Sequence, residues 1–173
     1  MVLAPSAASA EGFTVTSPHF KEGATLAADQ VFDGFGCSGK NLSPELMWSG
    51  APEGTQSYAV TMYDPDAPTG SGWWHWLVFN LPKTSTHLDL GAGNGKKPVL
   101  PRGAVQSVTD FGTSGYGGPC PPAGDKPHRY ILKVWALKVA ALPLKRESSG
   151  AMLGFYLKQN SLAEATITAK FGR

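Results

Sequence analysis

Apolar positions along the chain gather into three short, nearly continuous runs. Residues 57–63 mix β-branched and aromatic side chains and stop just before Pro65. Residues 73–81 are apolar except at His75 and Asn80 and are ended by Pro82, and residues 130–137 repeat the pattern. Runs of this length with so few polar interruptions predict strands buried on both faces. Between them lie stretches rich in proline and glycine, 64–72 and 112–127, which read as loops leaving strand ends, where binding sites are commonly built. Helical spacing is clear once: Met152, Leu153, Phe155, Tyr156 and Gln159 follow a cap at Ser148-Ser149-Gly150. Residues 165–169 then read as a last strand. Many strands and one late helix predict a mainly β protein, a β-sandwich with helical decoration.

Composition fits that reading and narrows the function. The 173 residues are 42% hydrophobic and 16% charged, enough for one domain with a real core. The 21 glycines and 14 prolines are scattered, as many turns between short strands require. No internal repeat divides the chain, so residues 13–173 are expected to form a single domain. A formal charge of +2 without a Lys/Arg run argues against nucleic acid as partner. No apolar run is long enough to span a bilayer. Ala8-Ser9-Ala10 fits the small-residue rule for signal cleavage, yet no basic segment or sufficient apolar stretch precedes it. Residues 1–12 therefore read as a signal-peptide remnant or as a flexible tail. Cys37 and Cys120 divide along the same line. An exported protein, periplasmic or secreted, favours a bridge between them, whereas a cytoplasmic one keeps them as small buried hydrophobes.

Two motifs match by letter and a third nearly does, and all three fail as signals of function. Gly34-Phe35-Gly36-Cys37-Ser38-Gly39 has dinucleotide-fingerprint spacing, but Pro44 stops the helix that would hold a pyrophosphate. Gly112-Thr113-Ser114-Gly115 begins like a nucleophile elbow, with Tyr116 where the closing glycine belongs. Asn41-Leu42-Ser43 is a glycosylation sequon, meaningful only in a eukaryotic secretory pathway.

The informative pieces are Asp64-Pro65-Asp66-Ala67-Pro68, Trp73-Trp74-His75-Trp76 and the block from Gly118 to Tyr130, which holds Cys120, Pro122 and His128. An acid at a strand end, a histidine inside an apolar strand and a His-x-Tyr pair can converge on one concavity, with prolines fixing the loop backbones. A histidine among three tryptophans needs a polar partner once buried, and Asp64 is the candidate. Residue by residue, the bland alternative is a satisfied core histidine and Asp-Pro turns.

Taken together and in this order, the three blocks resemble the signatures of the phosphatidylethanolamine-binding proteins, also called Raf-kinase-inhibitor-like proteins. The likeness runs from about Phe13 to Phe171 and includes Asn41-Leu42-Ser43-Pro44 and Trp48. The two cysteine positions and Gly-Trp-Trp-His-Trp resemble the bacterial periplasmic branch most. Trp74 stands where eukaryotic members usually carry a second histidine, and Cys120 replaces a residue of the family's phosphate loop. The resemblance implies an antiparallel β-sandwich with short peripheral helices and a pocket for phosphate-like or carboxylate anions, formed by Asp64, His75, Pro122, His128 and Tyr130, with Trp73, Ala67 and Pro68 on its wall. Protonated His75, the Tyr130 hydroxyl and loop N–H groups after Gly118, including Cys120, would face the anion, and Asp64 would orient His75 and favour its charged form.

These expectations describe a non-enzymatic binding protein for a small anion or phospholipid head group, without cofactor or metal. A kinase or protease is the protein partner that the resemblance suggests, and a homodimer is open. Two other classes remain. One is a hydrolase with the Asp64–His75 pair as base, which lacks a placed nucleophile once Cys120 is bridged to Cys37. The other is a protein-interaction module with a vestigial pocket.

Overall fold

The computed structural model describes residues 12–173, and the expectations for residues 1–11 lie outside it. Ten strands and one α-helix follow in order: β1 (Thr14–Thr16), β2 (Asp33–Gly34), β3 (Cys37–Ser38), β4 (Leu46–Ser49), β5 (Ser57–Asp64), β6 (Trp73–Pro82), β7 (His87–Leu88), β8 (Val105–Gln106), β9 (His128–Leu137), α1 (Gly150–Asn160) and β10 (Ser161–Phe171). A single 3-10 turn, Ala28–Gln30, precedes β2. The expected short helices are therefore one α-helix and this turn among the described residues. All pairing within the sheets is antiparallel.

Five strands, in the order β10-β9-β5-β6-β8, form the main sheet, and β1-β4-β7 form a second, smaller one. Alternation along β5, β6 and β9 explains why the apolar runs are continuous. Val60, Met62, Trp76, Val78, Leu132 and Val134 face the smaller sheet and pack with Val15, Leu46, Trp48 and Leu88. Their neighbours Ala59, Leu77, Phe79, Trp135 and Leu137 face the other way, under α1 and Leu142. Both sides of the central strands are thus dry, as period-2 side chains covered from two directions require. The polar atoms caught inside are paired: Trp135 Nε1 donates to Thr61 Oγ1 at 3.0 Å, and Trp76 Nε1 to Gln106 Oε1 at 2.7 Å.

Helix α1 begins where the cap was expected, with Ser149 Oγ accepting the Met152 N–H at 3.2 Å. Its buried face is carried by Leu153 and Leu157, four apart, while Met152 and Phe155 point into solvent. Gly150 is required by packing, because a Cβ there would collide with the indole of Trp74. Strand β10 is longer than 165–169 because it pairs with β9 from Leu137 to His128, interrupted only by a register shift between Ser161 and Ala163. Its outer edge is partly taken by the segment after β1. The Gly23 and Leu26 amides donate to the Thr168 and Lys170 carbonyls, the Lys170 amide donates to the Ala24 carbonyl, and the Thr168 amide donates to Glu22.

The glycine-rich segment 34–39 forms the β2–β3 hairpin, not a nucleotide loop. Gly34 pairs with Cys37, leaving Phe35 and Gly36 as its two-residue turn, with φ of 54° and 85°. Positive φ at both positions is the mirror-image turn that matches strand twist, and it favours Asn, Asp or Gly first. A phenylalanine there costs on the order of 1 kcal/mol. The sequon is also reassigned: Asn41 donates to the Tyr116 carbonyl at 3.1 Å and accepts from the Gly118 amide at 2.7 Å, so its side chain is an internal brace.

Candidate functional site

Strand β5 ends at Asp64, and the chain turns back on that residue's own carboxylate. Asp64 Oδ1 accepts the amides of Asp66 at 2.8 Å and Ala67 at 3.1 Å, which fixes the Asp-Pro loop. Its other oxygen, Oδ2, lies 2.8 Å from Nδ1 of His128, the first residue of β9. Both side chains are buried. The remaining nitrogen of His128 lies 3.3 Å from Asp125 Oδ2. The ring thus ties the start of β9 both to the end of β5 and to the loop before β9. A second tie lies outside: Arg129 Nε and Nη2 grip Asp66 at 2.8 and 2.7 Å, and its amide adds a third bond at 2.9 Å. The guanidinium holds the Asp66 carboxyl down at about 2.

The expected Asp64–His75 pair is therefore not formed; Asp64 belongs to His128. Strand β6 carries His75 inward, where Nδ1 meets the Gly117 carbonyl at 2.6 Å. A carbonyl only accepts, so Nδ1 bears the proton and Nε2 is left with its lone pair. Burial pushes the His75 pKa down to about 4, against the opposing pull of the Gly117 carbonyl and of Asp64. The expectation of a charged His75 fails for that reason: at neutral pH the ring is a neutral acceptor. Its plane stands edge-on to Tyr130 at 5.1 Å and to Phe111 at 5.4 Å. Burial, followed by Asp64 and Asp66, raises the Tyr130 phenol well above its usual value, so it remains a hydroxyl donor.

These side chains line one cavity of about 170 Å³. Asp64, His75, His128 and Tyr130 all reach it, as do Ala67, Pro68, Trp73, Cys120 and Pro122. Gly118 does not. Its amide is spent on Asn41, and a Cβ there would strike the Gln30 carbonyl, so this glycine permits close packing behind the cavity. The expected nest of loop amides shrinks accordingly. Pro119, Pro121 and Pro122 carry no N–H, which leaves Cys120 as the sole amide donor between Gly118 and Ala123. Sequence reasoning missed Phe35, Thr69, Phe111 and Pro121, which also line the cavity. Phe35 and Phe111 had a signal, each being a large apolar residue in a glycine-rich loop.

Cys37 and Cys120 form the expected disulfide, which fastens the β2–β3 hairpin to the cavity loop. The sulfur of Cys120 is thereby consumed, and the Thr69 hydroxyl donates to the Gly72 carbonyl at 2.6 Å. Asp66 is engaged by Arg129, so Asp64, Asp66, His75 and His128 do not turn toward a common point as metal ligands would. The site is an apolar, aromatic-walled recess whose polar lining is Tyr130, neutral His75 and the Asp64–His128 pair.

Comparison with known proteins agrees with this architecture. The family model described as phosphatidylethanolamine-binding protein matches residues 16–172. The UPF0098 protein YbcL of Escherichia coli K12 is 57% identical over 161 residues, covering 93% of this chain and 88% of that protein. The putative lipoprotein LppC of Mycobacterium tuberculosis H37Rv is 33% identical, covering 95% of this chain and 75% of LppC. The crystal structure of E. coli YbcL, described as a new member of the mammalian PEBP family, superimposes with a TM-score of 0.91 at 56% identity, covering 93% of this chain and 98% of the other.

Proposed function

The chain belongs to the phosphatidylethanolamine-binding protein family, and on that premise we propose that it is a non-catalytic binding protein whose cavity takes the phosphate-like or carboxylate end of a small ligand. The observation that carries this reading is Tyr130, a phenol that keeps its proton, in an apolar recess that Cys120 also lines. Neutral His75 adds an acceptor for a protonated ligand oxygen or an ammonium group. No lysine or arginine lines the recess, and Asp64 lies at its base, so a monoanion or zwitterion fits better than a dianion. Catalysis has little support: the imidazole is not backed by Asp64, and the one cysteine at hand is bridged. An extracytoplasmic location is proposed from that disulfide and from the likeness to a putative lipoprotein. No helix among the described residues is long and apolar enough to cross a membrane.

Titration calorimetry with phosphoethanolamine, inorganic phosphate and acetate tests the reading. Tyr130→Phe is expected to weaken binding about tenfold, the worth of one hydrogen bond. Acetate affinity should stay flat from about pH 6 to 9, because neither its charge nor that of His75 changes there. Absence of binding by all three compounds refutes the reading, and so does unchanged affinity in a folded Tyr130→Phe protein.

A further inference from the structure

Phe35 breaks the local rules that the rest of the chain obeys. It occupies the first left-handed position of a two-residue hairpin turn, where Asn, Asp or Gly is favoured. The residue is 69% exposed, so core packing does not explain an aromatic there. Residues held against local preference by their surroundings cluster at functional sites.

The surroundings that hold it are specific. The disulfide at the base of the hairpin anchors Cys37 to Cys120 on the cavity loop. Arg173 spans the same gap, donating to the Pro121 carbonyl at 2.7 Å, to the Phe35 carbonyl at 3.2 Å and to the Gly36 carbonyl at 3.4 Å. The ring itself stacks on Phe111 at 5.9 Å with an interplanar angle of 15°, and lies 5.3 Å from Phe32. Phe35 and Phe111 both line the cavity, so the stacked pair forms an apolar rim. A rim aromatic that is exposed yet immobilised from three directions loses little freedom when it meets a ligand, which is the economy expected of an anchoring contact.

We infer that Phe35 is a specificity-determining residue of the cavity, selecting ligands that carry an apolar group directly beyond their polar end. The inference rests on the binding function proposed above and names the ligand class, an amphiphile whose polar end reaches Tyr130 while its apolar part crosses the rim at Phe35.

Methyl phosphate, phenyl phosphate and phenol, titrated into wild type, Phe35→Asn and Phe35→Leu, separate the claims. Wild type should bind phenyl phosphate roughly tenfold or more tighter than methyl phosphate. In Phe35→Asn that preference should shrink to about twofold, with the melting temperature within about 2 °C, since Asn suits the turn. Phe35→Leu should keep part of the preference. Equal wild-type affinity for the two phosphates overturns the inference and leaves the head-group reading standing. Binding of phenol but of neither phosphate overturns the head-group reading and supports the rim, provided that Phe35→Asn abolishes it. Loss of methyl phosphate binding in Phe35→Asn makes the residue merely structural and also overturns the inference, as does binding of none of the three probes.

Discussion

Acidification should destabilise this protein through His75. The ring titrates near 6.5 when unfolded and is held down at about 4 in the folded chain. Between those values the unfolded state binds the extra proton, so stability rises with pH across the window, is full above 6.5 and is lost as pH falls toward 4. With these two values, lowering the pH from about 7.5 to about 4.5 removes roughly 2 to 3 kcal/mol. At a urea slope of about 2 kcal/mol/M, the unfolding midpoint should fall by roughly 1 M. His75→Gln removes the titration but keeps an N–H for the Gly117 carbonyl. Its midpoint is expected to be lower than wild type at neutral pH and to change much less with acid, so that the two profiles converge near pH 4.5. Parallel profiles for the two proteins would refute the placement of a neutral, desolvated imidazole in the core. The Asp66 contribution lies elsewhere: with its pKa lowered from 3.8 to about 2, its stabilising effect is complete above 3.8 and is lost only as pH falls toward 2.

Three further outcomes are expected. The Cys37–Cys120 bridge spans 83 residues, so replacing both cysteines by serine should cost about 4.5 kcal/mol on the chain-entropy account, measured by urea unfolding of the oxidised wild type and the variant. Leu153→Ala should cost about 3 kcal/mol because that side chain is fully buried, whereas Phe155→Ala on the solvent face of α1 should change stability by less than about 0.5 kcal/mol. Arg173→Ala removes the non-covalent tie between the hairpin and the cavity loop and should speed native-state reduction of the disulfide by dithiothreitol several-fold, followed by mass spectrometry of alkylated thiols. An unchanged rate would mean that Arg173 does not hold the hairpin.

The central strands were legible because their apolar runs are a direct record of two-sided burial, as at Trp76 and Leu77, which face opposite layers. Strand ends were less so. The third apolar run begins only at Tyr130, and what carries His128 and Arg129 into β9 is their pairing with Asp64 and Asp66 in a distant segment. The same long-range pairing defeated the Asp64–His75 expectation. Spacing in the sequence brought three polar residues to one place but could not say which nitrogen met which oxygen. Most of the cavity lining was foreseen from the three blocks, whereas Phe35 and Phe111 come from loops whose approach depends on the disulfide and on ring stacking.

The strip of backbone from Gly23 to Leu26 has a consequence for solubility. Strand β10 is an outermost strand, and an outermost strand with free amides and carbonyls is a template on which another chain can extend the sheet. Here residues 23–26 occupy the template at Thr168 and Lys170, while at the other end the register shift beside Ser161 and the charge on Glu164 spoil its regularity. The segment at the beginning of the domain thus acts as a built-in blocker of self-association. A chain in which it detaches would offer β10 to its neighbours and aggregate by sheet extension while its core is still folded.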